Sequence, residues 1–269
     1  IKPYTKFLQF TVSLLKRIIF CLHYKEGYFY LSRNFRLQKV GDVDWLIRNF
    51  GFGKATNYVD EIITILVKKQ PTDSDFENFF KDILKLRKNL FIPITLGGGI
   101  RNYEISKRFF NNGADKILIN TLAFKDKEII ERIASSYGSQ AICIMIDHKK
   151  INNEIKLYSY CGTKLEKISI EEHLKNLNAL SCGEIILNSI DNDGNAAGID
   201  LSILDKVRGS INKPILVMGG AGKPEHLSSA LTSKKISGVI TANLFNFLGD
   251  GLKLARNFAL NNNISLAKF

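Results

Sequence analysis

The chain has 269 residues, of which 45% are hydrophobic and 24% are charged, with 20 glycines and 5 prolines. This composition is typical of a folded globular protein and excludes collagen-like, disordered and multi-pass membrane classes. Lysine and arginine exceed the acidic residues, 38 to 26, which leaves a net charge of +12. Such an excess suits nucleic acid, an anionic surface or phosphorylated substrates. The basic residues of the first 50 positions are not interleaved with aromatics as in a binding module, so we expect no nucleic-acid partner.

The beginning of the chain and the cysteines indicate the compartment. The apolar stretch 7–22 is interrupted by Lys16 and Arg17 and is too short to span a bilayer, so no membrane partner is expected. A signal-peptide core at 8–15 is the minor alternative. Ile1 is not a start methionine, so we expect the numbering to begin inside a longer product. The 4 cysteines lack CxxC spacing and fit a reducing cytoplasm.

Short apolar or β-branched runs recur along the chain and predict eight strands. They are 17–22, 61–67, 92–96, 116–120, 141–147, 184–189, 214–218 and 238–242. Amphipathic stretches between them predict crossover helices at 104–110, 127–135, 171–180 and 225–231. This alternation predicts one (β/α)8 TIM barrel over 14–269, preceded by an extension, 1–13. A doubly wound open sheet is the alternative.

An internal repeat divides the predicted barrel into two halves. Segment 93–99 (PITLGGG) recurs as 214–220 (PILVMGG), at an offset of 121. Two further matches follow in the same order at offsets of 123 and 124, and the last of them aligns His23 with Asp147. Chance similarity of short apolar motifs does not account well for three ordered matches. The predicted half-barrels cover about 14–135 and 136–269.

Glycine-rich turns end the third and seventh predicted strands, at the face of the barrel where reactive groups gather. Glycine lets backbone N–H groups approach a phosphate, although such clusters are often only tight turns. Because symmetry places the two turns opposite each other, we expect an elongated phosphorylated ligand with a phosphate at each end. The predicted substrate- and phosphate-binding residues are Gly98, Gly99, Asn120, Thr121, Asp193, Gly194, Gly219, Gly220, Ala242 and Asn243.

Two titratable residues at strand ends are the catalytic candidates. Asp147 ends the fifth strand, where a carboxylate can act as a general acid or base, and His23 is its symmetry mate. A lone histidine is more often structural, and an ordinary turn is the alternative for the Asp193-Gly194 pair. His148 follows Asp147 directly and must point to the opposite face, so neither a metal site nor any other cofactor is predicted.

Six segments between about residue 14 and residue 256 carry more specific motifs. They are 16–22 (KRIIFCL), 96–100 (LGGGI), 113–121 (GADKILINT), 137–141 (YGSQA), 183–187 (GEIIL) and 219–222 (GGAG), the last followed by Glu225 and His226. Together they resemble the cyclase subunit of imidazole glycerol phosphate synthase. The resemblance implies a half-barrel duplication that receives ammonia from a partner glutaminase docked on the bottom of the barrel. The ammonia then passes through the core and is used at the top.

The resemblance also implies a gate of alternating charges at the bottom of the barrel. Its members here would be Arg17, Glu61, Lys116 and Glu184, and all four signs are kept. Buried charges persist when they are paired, so such a ring is physically coherent, although strand-start surface charges are the alternative. Asp115 matches a position that the family uses at the glutaminase interface.

The top of the barrel departs from the family pattern in its first half. Of the two catalytic carboxylates, Asp147 is kept and the other is His23, while Leu31 and Leu66 replace an expected lysine and aspartate. This pattern resembles divergent paralogues associated with sugar amidation in surface-polysaccharide pathways, whose ammonia serves a separate ATP-using amidotransferase. We therefore expect a retained conduit with weakened cyclase chemistry. A working cyclase in which His23 substitutes for the carboxylate, or a silent phosphate-binding or glutaminase-activating module, remains open.

Overall fold

The computed structural model describes residues 15–49, 58–88, 90–207, 209–242 and 250–267. Its strands are β1 (Arg17–Lys25), β2 (Tyr28–Arg33), β3 (Arg36–Gly41), β4 (Glu61–Leu66), β5 (Ile94–Gly97), β6 (Lys116–Ile119), β7 (Ile142–Ile151), β8 (Glu154–Ser159), β9 (Lys164–Leu165), β10 (Glu184–Ser189), β11 (Ile215–Met218) and β12 (Gly238–Thr241). Eight of them pair in parallel in the cyclic order β1, β4, β5, β6, β7, β10, β11, β12. The ring closes through the β12–β1 pair, which confirms the predicted barrel.

Helices follow the barrel strands and surround them. They are α1 (Val43–Asn49), α2 (Asp73–Arg87), α3 (Tyr103–Asn111), α4 (Thr121–Lys125), α5 (Lys127–Tyr137), α6 (Ile170–Asn178), α7 (Ile203–Lys206), α8 (Pro224–Leu231) and α9 (Gly251–Asn261). All four predicted helices are present. The sequence analysis did not single out α2, although it begins with a capping box in which Thr72 and Asp75 bond reciprocally.

The barrel strands are apolar on both faces because each face meets a different apolar layer. On β1, Ile18 and Phe20 point outward to the helices, whereas Ile19 and Cys21 point into the barrel. Cys143 lies in the same interior layer, so both cysteines are buried core residues. This interior layer separates the two ends of the barrel, the bottom at the strand N-termini and the mouth at the C-termini.

Two antiparallel hairpins extend the barrel above its mouth at equivalent places in the two halves. Strand β1 continues into β2, with His23 opposite Tyr30, and β7 continues into β8, with Asp147 opposite Tyr158. Their two-residue turns have positive φ at both positions, Glu26 with Gly27 in one and Asn152 with Asn153 in the other. The division into half-barrels stays a prediction, and this correspondence agrees with it.

Two of the predictions concern the N-terminal extension and membrane-spanning segments. The expected extension, 1–13, lies outside the described residues. Within the described residues, none of the helices has the length and apolar character needed to cross a membrane.

Candidate functional site

A cavity of about 960 Å³ opens at the mouth of the barrel. Its floor includes Leu118, Met145 and Met218, which belong to the apolar interior layer. The cavity therefore begins where the inner core of the barrel ends. The predicted site residues that line it are His23, Gly98, Gly99, Asn120, Thr121, Asp147 and Asp193.

A second, much smaller cavity of about 30 Å³ adjoins the first on the side of β11 and β12. Leu31 forms part of its wall, and Asp193 lines both cavities. The predicted residues that line this smaller cavity are Gly194, Gly219, Gly220 and Ala242. Asn243, the remaining predicted residue, lies outside the described part of the chain.

Asp147 is buried at the end of the straight part of β7 and faces the cavity. Its Oδ1 accepts a hydrogen bond from Asn188 Nδ2 at 2.7 Å, and its Oδ2 lies 3.4 Å from Asn120 Nδ2. Burial raises the pKa of Asp147 to about 7, against the opposing hydrogen bond from Asn188 and with support from the charge of Asp193. A carboxyl group with this pKa can both donate and accept a proton near neutral pH.

His23 lines the same cavity from β1. Burial lowers its pKa, although the carboxylate of Asp193 and a hydrogen bond with the Tyr30 backbone act in the opposite direction. The imidazole is therefore neutral at neutral pH. Its Nδ1 atom is buried and has no hydrogen-bond partner among the described residues. A ligand in the cavity can satisfy it.

The two glycine turns have nearly the same backbone conformation, which agrees with the sequence repeat. Gly98 has φ of +105° and Gly219 has φ of +106°. A Cβ atom at Gly98 would lie 2.1 Å from the carbonyl oxygen of Leu66, so no other residue fits there. The turn thus brings bare backbone to the cavity wall at the end of β5.

Hydrogen bonds to Asp193 hold the tip of the β2–β3 hairpin over the mouth of the barrel. Its Oδ2 accepts hydrogen bonds from Ser32 Oγ at 2.5 Å and from the Phe35 N–H at 2.9 Å, and its carbonyl accepts one from the Asn34 N–H at 2.9 Å. The Phe35 ring packs against Gly162 in the loop that follows β8. In this structure, the loop after β10 thus holds the hairpin that follows β1.

At the bottom of the barrel, the four predicted gate residues form a closed ring of charges. Arg17 NH1 lies 2.6 Å from Glu61 Oε1 and 2.7 Å from Glu184 Oε1. Lys116 Nζ lies 3.0 Å from Glu61 Oε2 and 3.5 Å from Glu184 Oε2. Each charge therefore has two partners of opposite sign. All four side chains are at most 20% exposed.

The two positive and two negative charges of the ring balance one another. Burial acts to lower the pKa of Lys116, but the carboxylates of Glu61 and Glu184 outweigh it and raise that pKa. Lys116 therefore stays charged, as does Arg17, whose pKa is raised in the same way. From bottom to mouth, the barrel thus contains a neutral ring of paired charges, an apolar layer and a polar cavity.

Two further residues lie on the bottom face, just before the barrel strands β5 and β6. Asp115 accepts hydrogen bonds from Arg87 and from the N–H of Ile94, and its side chain is 41% exposed. Phe91, between α2 and β5, is 95% exposed.

Comparison with known proteins agrees with this architecture. A family model described as histidine biosynthesis protein matches residues 71–249. A protein of Parasynechococcus marenigrum (strain WH8102), provisionally named imidazole glycerol phosphate synthase subunit hisF2, is 40% identical over 255 residues, covering 94% of each chain. The imidazole glycerol phosphate synthase subunit HisF of Chlorobium phaeobacteroides (strain BS1) is 33% identical over 246 residues, covering 91% of this chain and 96% of that one.

The chain belongs to the HisF family. This finding confirms the family inferred from the sequence motifs, a family of cyclase subunits of a lyase-type enzyme. The HisF subunit of Chlorobaculum parvum (strain DSM 263 / NCIMB 8327) is 32% identical over 254 residues, covering 94% of this chain and 99% of that one.

The three site positions that the resemblance marks as changed, His23, Leu31 and Leu66, all lie near the mouth of this HisF-family chain. Leu31 sits on β2 in the wall of the smaller cavity. Leu66 ends β4, lines the large cavity and is buried in the outer apolar layer. Neither can hold a phosphate or transfer a proton.

The structure adds site residues that the sequence analysis did not single out. Asn188 is paired in register with Asp147, holds its carboxylate and has a buried Oδ1 without a partner among the described residues. The sequence signal that could have identified Asn188 is a polar residue near the end of a buried strand. Lys69 and Arg101 also line the cavity from loops, and Lys125 lines it from the end of α4.

The sequence analysis predicted no metal site at Asp147 and His148. His148 is buried on the opposite face of β7, where burial lowers its pKa to about 4. Among the described residues, no group of three His, Cys, Asp or Glu side chains is placed to hold a metal ion.

Proposed function

We propose that this chain is the ammonia-receiving barrel subunit of a glutaminase complex, with weakened cyclase chemistry. In this proposal a glutaminase docks on the bottom face and its ammonia passes the ring formed by Arg17, Glu61, Lys116 and Glu184. The ammonia reaches the mouth and serves, through a separate ATP-dependent amidotransferase in the cytoplasm, the amidation of a surface-polysaccharide sugar. The observation that carries the proposal is the intact charged ring below a mouth that has lost one catalytic carboxylate.

The order of the barrel layers supports a conduit for neutral ammonia. An ammonium ion would have to leave water and enter an apolar layer, which is strongly unfavourable. The neutral molecule avoids this cost, and both carboxylates of the ring are already paired with Arg17 and Lys116, so neither is free to hold the cation. The ring and the apolar layer together therefore select the species that an amidation reaction uses.

The mouth supports weakened cyclase chemistry. His23 is neutral at neutral pH, whereas the family pattern has a carboxylate there. Leu31 and Leu66 remove a cation and a second carboxylate from the same half. The changes fall together in the first half, while the second half keeps Asp147.

A working cyclase is the second candidate, and the state of Asp147 favours it. A pKa of about 7 is well matched to general acid–base catalysis at neutral pH. In this alternative His23 takes the part of the missing carboxylate as a neutral hydrogen-bonding group. A phosphate-binding or glutaminase-activating module without catalysis of its own is the third reading.

The proposal is tested with the chain and the glutaminase of the same source. We expect the two to form a complex on size-exclusion chromatography, and the chain to raise glutamate release by the glutaminase. Phe91→Asp should abolish both effects, because it places a charge in the docked face. Leu165→Asp is the matched control, since Leu165 is 49% exposed but lies on β9 at the opposite end of the barrel.

Absence of both binding and stimulation would contradict the conduit and the activating module alike. Turnover of the ribulosyl formimino carboxamide phosphate substrate with ammonium salt separates the remaining readings. We expect little or no product from the folded chain. Robust product would overturn the weakened chemistry and establish the cyclase alternative.

A further inference from the structure

The antiparallel strands above the mouth carry half of the excess positive charge of the chain. Residues 25–39 and 149–167, which together form the mouth rim, contain 9 lysines and arginines but only 3 acidic residues. The difference, +6, is half of the net charge of +12 that the 269 residues carry. A strongly basic surface therefore surrounds the opening of the barrel.

Most of the rim cations have no acidic partner. The acidic residues of the rim, Glu26, Glu154 and Glu166, pair with lysines of the same strands. Six basic rim residues form no ion pair among the described residues: Arg33, Arg36, Lys39, Lys149, Lys150 and Lys167. The sequence outside the described residues contains no aspartate or glutamate that could pair with them. The positive charge of the rim is thus not balanced within the chain.

The unpaired rim cations do not belong to the cavity. None of these six described residues lines either of the two cavities at the mouth. Five of them are exposed, and Lys149 is half-buried. The large cavity has other basic residues in its wall, Lys69, Arg101 and Lys125. The rim charge therefore faces the surroundings of the protein rather than a small ligand inside the cavity.

Basic residues at the bottom of the barrel have partners, in contrast to those of the rim. Lys16 Nζ donates to the carbonyl oxygens of Ser233 and Ile236 at 2.5 and 2.8 Å. Arg256 pairs with Asp60 at 3.1 Å, and both cations of the charged ring are paired with carboxylates. The unbalanced charge thus lies at the end of the barrel where the proposed conduit opens.

Exposed apolar side chains accompany the rim cations. Tyr28 and Ile151 lie beside the turns of the two hairpins, and Leu165 lies on β9. Lys39 Nζ lies 3.0 Å from the centre of the Tyr28 ring. Protein interfaces combine such apolar contacts with surrounding charges that match charges of the partner. A nucleic acid backbone would use the cations alone, so this combination favours a protein partner.

The chemistry of ammonia gives that partner a task. In water near neutral pH, ammonia is almost entirely protonated, and the ammonium ion is not a nucleophile. Ammonia that leaves the apolar layer into a mouth open to water is therefore lost to amidation. An enzyme that uses it has to close the mouth against water, and closure prevents this loss of the reactive species. Such an enzyme has to contact the rim.

We propose that the mouth rim is the docking surface for the enzyme that consumes the ammonia, and that this enzyme presents an acidic face to it. The inference rests on the proposed function and identifies the surface and the charge of its second partner. The chain then joins two enzymes, the glutaminase at its bottom face and the ammonia-consuming enzyme at its mouth.

The test measures binding of the ATP-dependent amidotransferase of the same source to the chain by biolayer interferometry. We expect direct binding that weakens by about tenfold or more between about 50 and about 300 mM salt, because salt screens exposed charges. Absence of binding, or binding that salt leaves unchanged, would overturn the inference.

Two double variants locate the surface. Lys39→Glu/Lys150→Glu reverses one exposed cation on each side of the rim and should weaken binding by about tenfold or more. Lys81→Glu/Lys107→Glu is the matched control, because it makes the same change of charge at exposed positions of α2 and α3. Circular dichroism shows that both variants are folded. Equal binding by the two variants contradicts the assigned surface.

Two other polyanions compete for a basic surface, an anionic membrane and a nucleic acid. The probes are vesicles that contain phosphatidylglycerol and a single-stranded oligonucleotide, each measured at the same salt concentration as the amidotransferase. We expect both to bind more weakly than the amidotransferase. Tighter binding of either probe would overturn the assignment of a protein partner.

These measurements need no glutaminase. A chain that binds the amidotransferase through the rim but fails to engage the glutaminase would overturn the proposed function alone. A chain that engages the glutaminase but does not bind the amidotransferase would overturn this inference alone, because the conduit does not depend on docking at the mouth.

Discussion

Asp147 combines deep burial with two neutral amide neighbours, Asn188 and Asn120. The amides orient the carboxyl group but supply no compensating charge, so burial dominates and raises its pKa from 3.8 to about 7. The raised pKa links this residue to the stability of the fold. The protonated form is favoured in the folded protein, so stability falls as the pH rises from about 4 through about 7.

Replacing Asp147 by asparagine removes this pH dependence. At about 1.4 kcal/mol for each pKa unit, the buried charge costs a few kcal/mol above neutral pH. Relative to the wild type, Asp147→Asn should therefore gain about 3 kcal/mol more at pH 8 than at pH 5, the part of the cost that develops between pH 5 and about pH 7, measured by urea denaturation at both values. The exposed Asp44→Asn is the control. Parallel pH profiles of the wild type and Asp147→Asn would show that the pKa of the Asp147 carboxyl group is not raised.

Among the elements, the β2–β3 hairpin is the one that depends most on contacts outside itself. Its turn places Asn34 and Phe35 at positive φ, which is unfavourable for a bulky residue such as Phe35. Bonds to Asp193 and packing on Gly162 offset this strain. The carboxylate of Asp193, in the loop after β10, therefore holds the tip of the hairpin in place.

Removing the Asp193 carboxylate should make the tip of the β2–β3 hairpin more mobile. Asp193→Ala deletes hydrogen bonds from Ser32 and Phe35, so we expect tryptic cleavage at Arg33 and Arg36 to become several-fold faster. Asp191→Ala is the matched control, because Asp191 accepts from the Lys150 N–H at the other hairpin and does not touch this one. Equal cleavage rates in the two variants would contradict the role of Asp193.

The contrast between barrel strands and hairpins shows what the sequence can predict. The barrel strands were predictable because both faces are buried, so each appears as a continuous apolar run. Strand β3 is partly exposed along its whole length and has no such run. The Asn152-Asn153 pair was an available turn signal, since asparagine tolerates positive φ.

The site shows the same division. Asp147 and the glycine turns were predictable because they end apolar strands at a fixed register. The basic residues Lys69 and Arg101 at the mouth lie in loops, and the contact between Asp193 and Phe35 joins positions 158 residues apart. Such pairings depend on closure of the barrel, which no local pattern encodes.

At the scale of the whole molecule, the charged ring ties four strands together at the bottom. Its members come from β1, β4, β6 and β10, so each ion pair spans the barrel interior rather than one element. Removing one partner leaves a buried charge without compensation. The ring is therefore a structural device whether or not it also controls ammonia.

We expect Lys116→Met to lower the free energy of unfolding by about 3–5 kcal/mol, because Glu61 and Glu184 then share only Arg17. Lys235→Met, which removes an exposed pair with Asp205, is the control and should cost less than about 1 kcal/mol. Urea denaturation measures both. Similar small losses in the two variants would show that the ring is solvated and unimportant for stability.

The closed order of the strands has a consequence for the two halves. The first half meets the second at two seams, β6 with β7 and β12 with β1. A half alone would leave an unpaired backbone edge at each seam, together with an uncovered apolar interior. A second copy of the same half is the simplest partner that covers both edges at once. If the repeat boundary lies near residue 135 as predicted, each half therefore depends on a partner at both of its edges.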